Sequence, residues 1–168
     1  YTTALTDLQA LTKEDPNNIF TMDFAEDIFS ELPIVQCPTL TPGGATQNAP
    51  CKTPILKITN WDHDTIKIRE LPQVLLIAGL HGDERIGIYT LIEMVKYISE
   101  NYDSLRVILA QRMIIIVPFA NAQGFARGSA FENVGGSIGV DPEKDFPVMK
   151  EDCFNTSTAK LIDQLYRR

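Results

Sequence analysis

His81 and Glu84 stand three residues apart in Leu80-His81-Gly82-Asp83-Glu84-Arg85. An imidazole nitrogen and a carboxylate oxygen are both good zinc ligands, and Gly82 between them lets a tight loop turn both inward. A catalytic zinc takes three protein ligands plus water, so this pair supplies two. The same spacing also occurs in solvated polar loops, and the pair alone leaves both readings open. The other histidine, His63 in Trp61-Asp62-His63-Asp64, reads as a surface residue of a hairpin turn. Gly135-Gly136-Ser137-Ile138-Gly139 fits the G-x-S-x-G serine elbow. That elbow needs a strand before it and a helix after it. Here a polar loop precedes, and Pro142 and Pro147 follow, so the glycines read as loop.

The elements around His81 give the pair its setting. Val74 to Ala78 is a continuous apolar run, expected for a strand buried on both faces. A helix follows over about 86–102, with Ile88, Leu91, Ile92, Val95 and Ile98 on its apolar side. Met113 to Phe119 is a second buried run. Strand, helix, strand is a βαβ unit, which predicts an α/β domain with helices on both faces of a mixed, mostly parallel sheet. His81 then lies past the carboxyl end of a strand, where open α/β sheets bind ligands. Elsewhere the pattern predicts helices over 2–13 and about 21–32, and a Pro/Gly-rich loop over 33–52. It predicts strands at Ile55–Ile58 and Ile66–Ile68, a loop from Asn121 to Pro147, and a last helix from about Asn155. Residues 1–52 read as an N-terminal helical segment and loop, and 53–168 as the α/β unit.

The 168 residues are 44% apolar and 22% charged, with a formal charge of −7. That composition suits a globular core and makes nucleic acid a poor partner. No apolar run approaches the roughly 20 residues that span a bilayer. Three cysteines are too few for a disulfide scaffold, but Cys37 and Cys51 flank the Pro/Gly loop and could close it, leaving Cys153 over. Asn155-Thr156-Ser157 is an N-glycosylation triplet, meaningful only in a secreted protein. Together these point to the secretory or lysosomal pathway. The Arg167-Arg168 pair is a candidate processing site.

Three stretches resemble one family. Gly79-Leu80-His81-Gly82-Asp83-Glu84-Arg85-Ile86-Gly87 resembles the first metal motif of the zinc metallocarboxypeptidases of the carboxypeptidase A type. Ile114 to Gly124 resembles their strand ending in an Asn-Pro-x-Gly turn. Gly139-Val140-Asp141-Pro142-Glu143-Lys144-Asp145-Phe146-Pro147 resembles their G-V-D-x-N-R-x-F-P segment. Order and spacing agree from about Thr53 to Arg168, as in a divergent member holding the N-terminal half of the catalytic domain. The resemblance implies an α/β sandwich around a mixed, mostly parallel sheet of about eight strands. It implies one zinc on His81 and Glu84, and removal of C-terminal residues from peptides. The third ligand and the general base would come from outside this chain, from the remaining half as a separate segment or chain.

The substrate grip departs from the family pattern. Glu143-Lys144 replaces Asn-Arg: Lys144 could meet a carboxylate as a point charge, and Glu143 would repel it. The family's oxyanion arginine falls near Ala130 or Phe131, with Arg127 the nearest substitute. Three readings follow: a zinc carboxypeptidase half-domain, an impaired carboxypeptidase fold with a binding or structural role, and a related acylase. Half a sandwich also exposes a strand edge and an apolar face, which predicts association with the missing part.

Overall fold

The computed structural model describes residues 1–40, 44–62, 65–135, 137–146 and 154–167. His63, Gly136, Pro147, Cys153 and Arg168 lie outside the described residues. Helix α1 (Thr2–Lys13) leads to β1 (Phe20–Phe24) and the single turn α2 (Ala25–Ile28). Strands β2 (Val35–Leu40) and β3 (Thr46–Cys51) precede β4 (Pro54–Ile58), α3 (Thr65–Glu70) and β5 (Gln73–Ile77). Helices α4 (Arg85–Glu100) and α5 (Tyr102–Leu109) carry the chain to β6 (Met113–Val117). Helix α6 (Ala122–Arg127), the short strands β7 (Glu132–Val134) and β8 (Ser137–Val140), a 3-10 turn at Pro142–Lys144 and α7 (Ser157–Tyr166) follow.

The main sheet runs β1-β4-β6-β5. β5 and β6 pair in parallel, Val74 opposite Ile114 and Ile77 opposite Val117. β4 is antiparallel to both β1 and β6, so the sheet is mixed. Alternate side chains of the buried runs go to opposite faces. Leu56, Ile58 and Ile116 pack with Leu8 of α1 and with Ile88, Val95 and Ile98 of α4. Ile55 and Val117 pack on the other face with Phe29, Leu32 and Leu161 of α7. Apolar residues on both faces explain why these strands read as continuous runs, and helices flank the sheet on both sides.

Several expectations are corrected. The helix expected over 21–32 is β1 and one turn of α2. Phe20-Thr21-Met22-Asp23-Phe24 alternates apolar and polar, and its pairing with β4 makes that period of two the one that governs. The expected loop 33–52 holds a two-stranded sheet, Val35 opposite Cys51. A two-stranded ladder has no central strand, so Pro38 and Pro50 fit without costing an interior bond. A disulfide joins Cys37 to Cys51, Cα atoms 5.6 Å apart. The strand expected at Ile66–Ile68 is α3. The stretch after Asn121 is ordered into α6, β7 and β8. The segment before residue 53 is part of the same core, through Leu8, Phe20 and Phe29.

Candidate metal centre

The loop that carries His81 is fixed by close backbone approach. Beyond β5, Ala78 and Gly79 still run beside the β6 strand: the Ala78 amide donates to the Val117 carbonyl (3.0 Å) and the Asn121 amide to the Gly79 carbonyl (2.9 Å). Gly79 then turns at φ +66°, and a Cβ there would meet Ile88 Cδ1 at 2.9 Å. Gly82 lies flat on the start of α6, where a Cβ would fall 2.0 Å from the Gly124 carbonyl carbon. Buried Asn121 holds both sides: its Oδ1 caps α6 by accepting from the Gly124 amide (2.7 Å), and its Nδ2 donates to the Leu80 and Ala130 carbonyls (3.4 and 3.2 Å). The residue before His81 is thereby pinned to α6.

The His81 ring has a carboxylate on each side. Nδ1 lies 3.2 Å from Glu84 Oε1, and Nε2 lies 3.0 Å from Asp141 Oδ1. Glu84 immediately precedes α4, where the positive end of the helix favours an anion. Asp141 caps the 3-10 turn, accepting from the Glu143 amide (3.1 Å), with buried Pro142 in the first turn position. Lys144 Nζ closes on the other Asp141 oxygen at 3.0 Å, and Glu143 Oε2 stands 3.7 Å from His81 Nε2. The bond to Asp141 first, then that to Glu84, raises the His81 pKa above its ordinary value. The same bond from His81, followed by that from Lys144, lowers Asp141 to about 2. The site therefore calls for positive charge on both sides of the ring.

A metal fits one side of this arrangement better. Bonds of about 2.0–2.1 Å in tetrahedral geometry separate two ligand atoms by about 3.3 Å. The 3.2 Å between Nδ1 and Glu84 Oε1 matches, and Glu84 is exposed and free to adjust. Asp141, already bonded to Lys144 and the Glu143 amide, suits the outer partner that fixes the ring tautomer. His81, Asp141 and Glu143 also place ligand atoms within 4.8 Å of one another, but through Nε2, the nitrogen that hydrogen-bonds to Asp141.

Of the residues expected at the site, the structure brings His81, Glu84, Glu143 and Lys144 together. Arg127 sits exposed in the last turn of α6. Among the described residues, no hydrogen bond or ion pair joins it to that group. Ser137 opens a strand rather than a strand-to-helix turn, so no serine elbow forms. Asp141 and Asn121 went unassigned from the sequence. Both stand in stretches that resemble the family, Asp141 in Gly139–Pro147 and Asn121 at the turn ending at Gly124, but neither stretch by itself shows the contact its residue makes with the His81 loop.

The sequence model described as zinc carboxypeptidase matches residues 48–167. The chain belongs to the zinc carboxypeptidase family. No curated protein matches it. Solved carboxypeptidases share its fold at low identity. Bovine thrombin-activatable fibrinolysis inhibitor, in complex with tick carboxypeptidase inhibitor, superposes with a TM-score of 0.65 at 13% identity, covering 99% of this chain and 55% of that one. Carboxypeptidase A from Helicoverpa armigera gives 0.60 at 18% identity, with 98% and 41% covered. A metallo-carboxypeptidase from Burkholderia cenocepacia gives 0.60 at 14%, with 96% and 36% covered. The chain thus spans between about a third and just over half of these solved chains. No described helix is long and apolar enough to cross a membrane.

Proposed function

We propose that this chain supplies half of a zinc peptidase site that removes C-terminal residues from peptides. The observation that carries the reading is the His81–Glu84 approach of 3.2 Å, made while Asp141 occupies the other ring nitrogen. His81 Nδ1 and Glu84 hold the metal in this reading. When bound, zinc acidifies a water and polarises a carbonyl. Asp141 would accept a hydrogen bond from the single ring proton of His81 on Nε2, leaving the Nδ1 lone pair aimed toward Glu84 and the metal. Gly82 and Asn121 hold the loop so that this aim costs no rearrangement.

The third ligand and the general base belong, on this reading, to a second segment or chain that completes the domain. Two features support an occupant there. β5 ends the described sheet, with Val74 40% exposed. A groove of about 700 Å³ opens on the second sheet face between Ile55, Ile115, Met113 and Leu165. We place the protein in the secretory or lysosomal pathway, on the Cys37–Cys51 bridge and the glycosylation triplet whose Asn155 is exposed.

The test is metal content: the protein isolated without chelators should carry one zinc per copy, and His81→Ala should carry none. Zinc retained in His81→Ala would sink the reading. A second reading is an impaired, binding fold. It is favoured by Lys144, which is tied to Asp141, and by Glu143, which faces the site. One zinc per copy with no turnover of any peptide would decide for it.

A further inference from the structure

We propose that the Cys37–Cys51 bridge is a positioning element of the metal centre: acting through the first turn of α6, it holds the His81 loop in place, so that zinc affinity depends on the bridge being closed. The inference rests on the zinc reading of His81 and Glu84.

The bridge and the loop share one support, the stretch Ala122-Gln123-Gly124. The bridged Cys37 packs its Sγ 3.6 Å from the Ala122 carbonyl oxygen. Gln123 ties the same turn to the β2–β3 ladder: its Nε2 donates to the Gln36 carbonyl (3.3 Å), while its Oε1 accepts from the Asn133 amide (2.7 Å). Gly124 then meets the backbone of Gly82, next to His81, with no room for a Cβ between them. Cys37, Cys51, Ala122, Gln123, Gly124 and Gly82 are all buried. A shift at one end of this path is therefore taken up by packed neighbours and not by solvent.

The β2–β3 ladder has little besides the bridge to keep its shape. It is two-stranded and separate from the main sheet, and such a ladder alone is marginal in water. Pro38 and Pro50 bring it no amide hydrogen, and β3 is exposed from Thr46 to Asn48. With the bridge open, α6 keeps its Asn121 cap and the stack of Phe125 on Phe119, ring centroids 5.5 Å apart. The helix survives but loses the ladder as a stop. Metal centres need placement to within about 0.5 Å, and loss of an outer support weakens metal binding by roughly tenfold or more.

The test compares the wild-type chain with Cys37→Ser/Cys51→Ser and with Leu109→Ala. Leu109 is buried at the end of α5, just before the start of β6 and so at the opposite end of the sheet from His81. Its truncation is the control for destabilisation alone. Zinc dissociation constants are measured by chelator competition at a temperature where melting curves show every sample folded. The bridge-free chain should bind zinc about tenfold weaker. The control should stay within about twofold of wild type. Hydrogen exchange on the metal-free proteins gives a second readout. Without the bridge, protection should fall at the Gly124 amide, bonded to Asn121 Oδ1, and at the Glu84 amide, bonded to the His81 carbonyl. The β5–β6 ladder should keep its protection. If the bridge-free chain does not fold, Gln123→Met decides in its place. It leaves the bridge, cuts the tie to Gln36, and should cost about threefold in zinc affinity.

Equal zinc affinity with and without the bridge would overturn the proposal. So would an equal loss in Leu109→Ala, or unchanged exchange at Gly124 and Glu84. A wild-type chain that binds no zinc overturns the metal reading and the zinc half of this proposal with it. The exchange pattern needs no metal, so the two failures are told apart.

Discussion

Replacing Gly82 by alanine should damage both the fold and the proposed metal site. The added Cβ would stand 2.0 Å from the Gly124 carbonyl carbon, 2.1 Å from the Phe125 nitrogen and 2.6 Å from Gly124 Cα. Ordinary contact begins about 3.4 Å out, so the His81 loop and the start of α6 must part by over about 1 Å. Both partners are backbone, so no side chain can swing aside to absorb the clash. Overpacking of this kind costs about 1–3 kcal/mol, which for a domain of this size lowers Tm by roughly 2–12 °C. Catalytic and binding groups need placement to within about 0.5 Å, so zinc affinity should also fall, by roughly tenfold to a hundredfold. Gly87→Ala is the internal control. It sits in the first turn of α4, where its Cβ would meet only the Ala78 side chain at 3.3 Å. Alanine is favoured over glycine in a helix by about 1 kcal/mol, which offsets that tight contact. Calorimetric melting and a chelator-competition titration on both variants are the assay. If Gly82→Ala melts and binds zinc like the wild type, the loop is not held against α6 as described.

Four other outcomes are expected. Asp141→Asn keeps a hydrogen-bonding side chain but loses the charge behind His81, and zinc affinity should drop roughly tenfold to a hundredfold. A drop of many thousandfold would instead make Asp141 a direct ligand. Burial pushes Asp145 up, but bonds from the Thr156 amide and hydroxyl and from Asn155 outweigh it, and its folded pKa is lowered. A depressed carboxylate pKa gives stability present above about pH 4 and lost as pH falls through the folded value. Hydrogen-exchange protection factors in the first turn of α7, corrected for the intrinsic pH dependence of exchange, should therefore fall on acidification, and Asp145→Asn should flatten that response. The Cys37–Cys51 bridge spans 14 positions, and Cys37→Ser with Cys51→Ser should cost about 3 kcal/mol in denaturant titration. On expression through a eukaryotic secretory pathway, Asn155 should carry a glycan, seen as a mass shift removed by deglycosylation and absent in Ser157→Ala. Its Nδ2 donates one hydrogen to Asp145 (2.8 Å), and the other is available for the sugar bond.

The parts of the fold that were readable share one property: their pattern is local. The runs Val74–Ala78 and Met113–Phe119 are apolar on every residue, and Ile88, Ile92, Val95 and Ile98 repeat at helical spacing, so β5, α4 and β6 follow from the sequence alone. β1 was misread because Met22, Ala25, Ile28 and Phe29 also fit a helix, and only the ladder to β4 selects between the two periods. β2 and β3 were missed for a related reason. Their prolines argue against strand pairing locally, while the disulfide and the mutual ladder hold them together.

The site divides in the same way. Type and spacing single out His81 and Glu84 but leave a solvated loop open; the family resemblance selects the metal reading, and the structure brings the two side chains to 3.2 Å. The sequence also shows where the chain departs from its family, at Glu143 and Lys144. It does not show that Lys144 is spent on Asp141, that Glu143 faces His81, or that Asp141 holds Nε2. Those contacts join the β5–α4 loop to a turn sixty residues later. Their existence depends on β6 and α6 carrying the chain back beside Gly79 and Gly82. Local pattern selects elements because backbone periodicity is a property of a few neighbouring residues. The charge balance of the site is set by distances between segments, and those exist only once the sheet has brought the segments together.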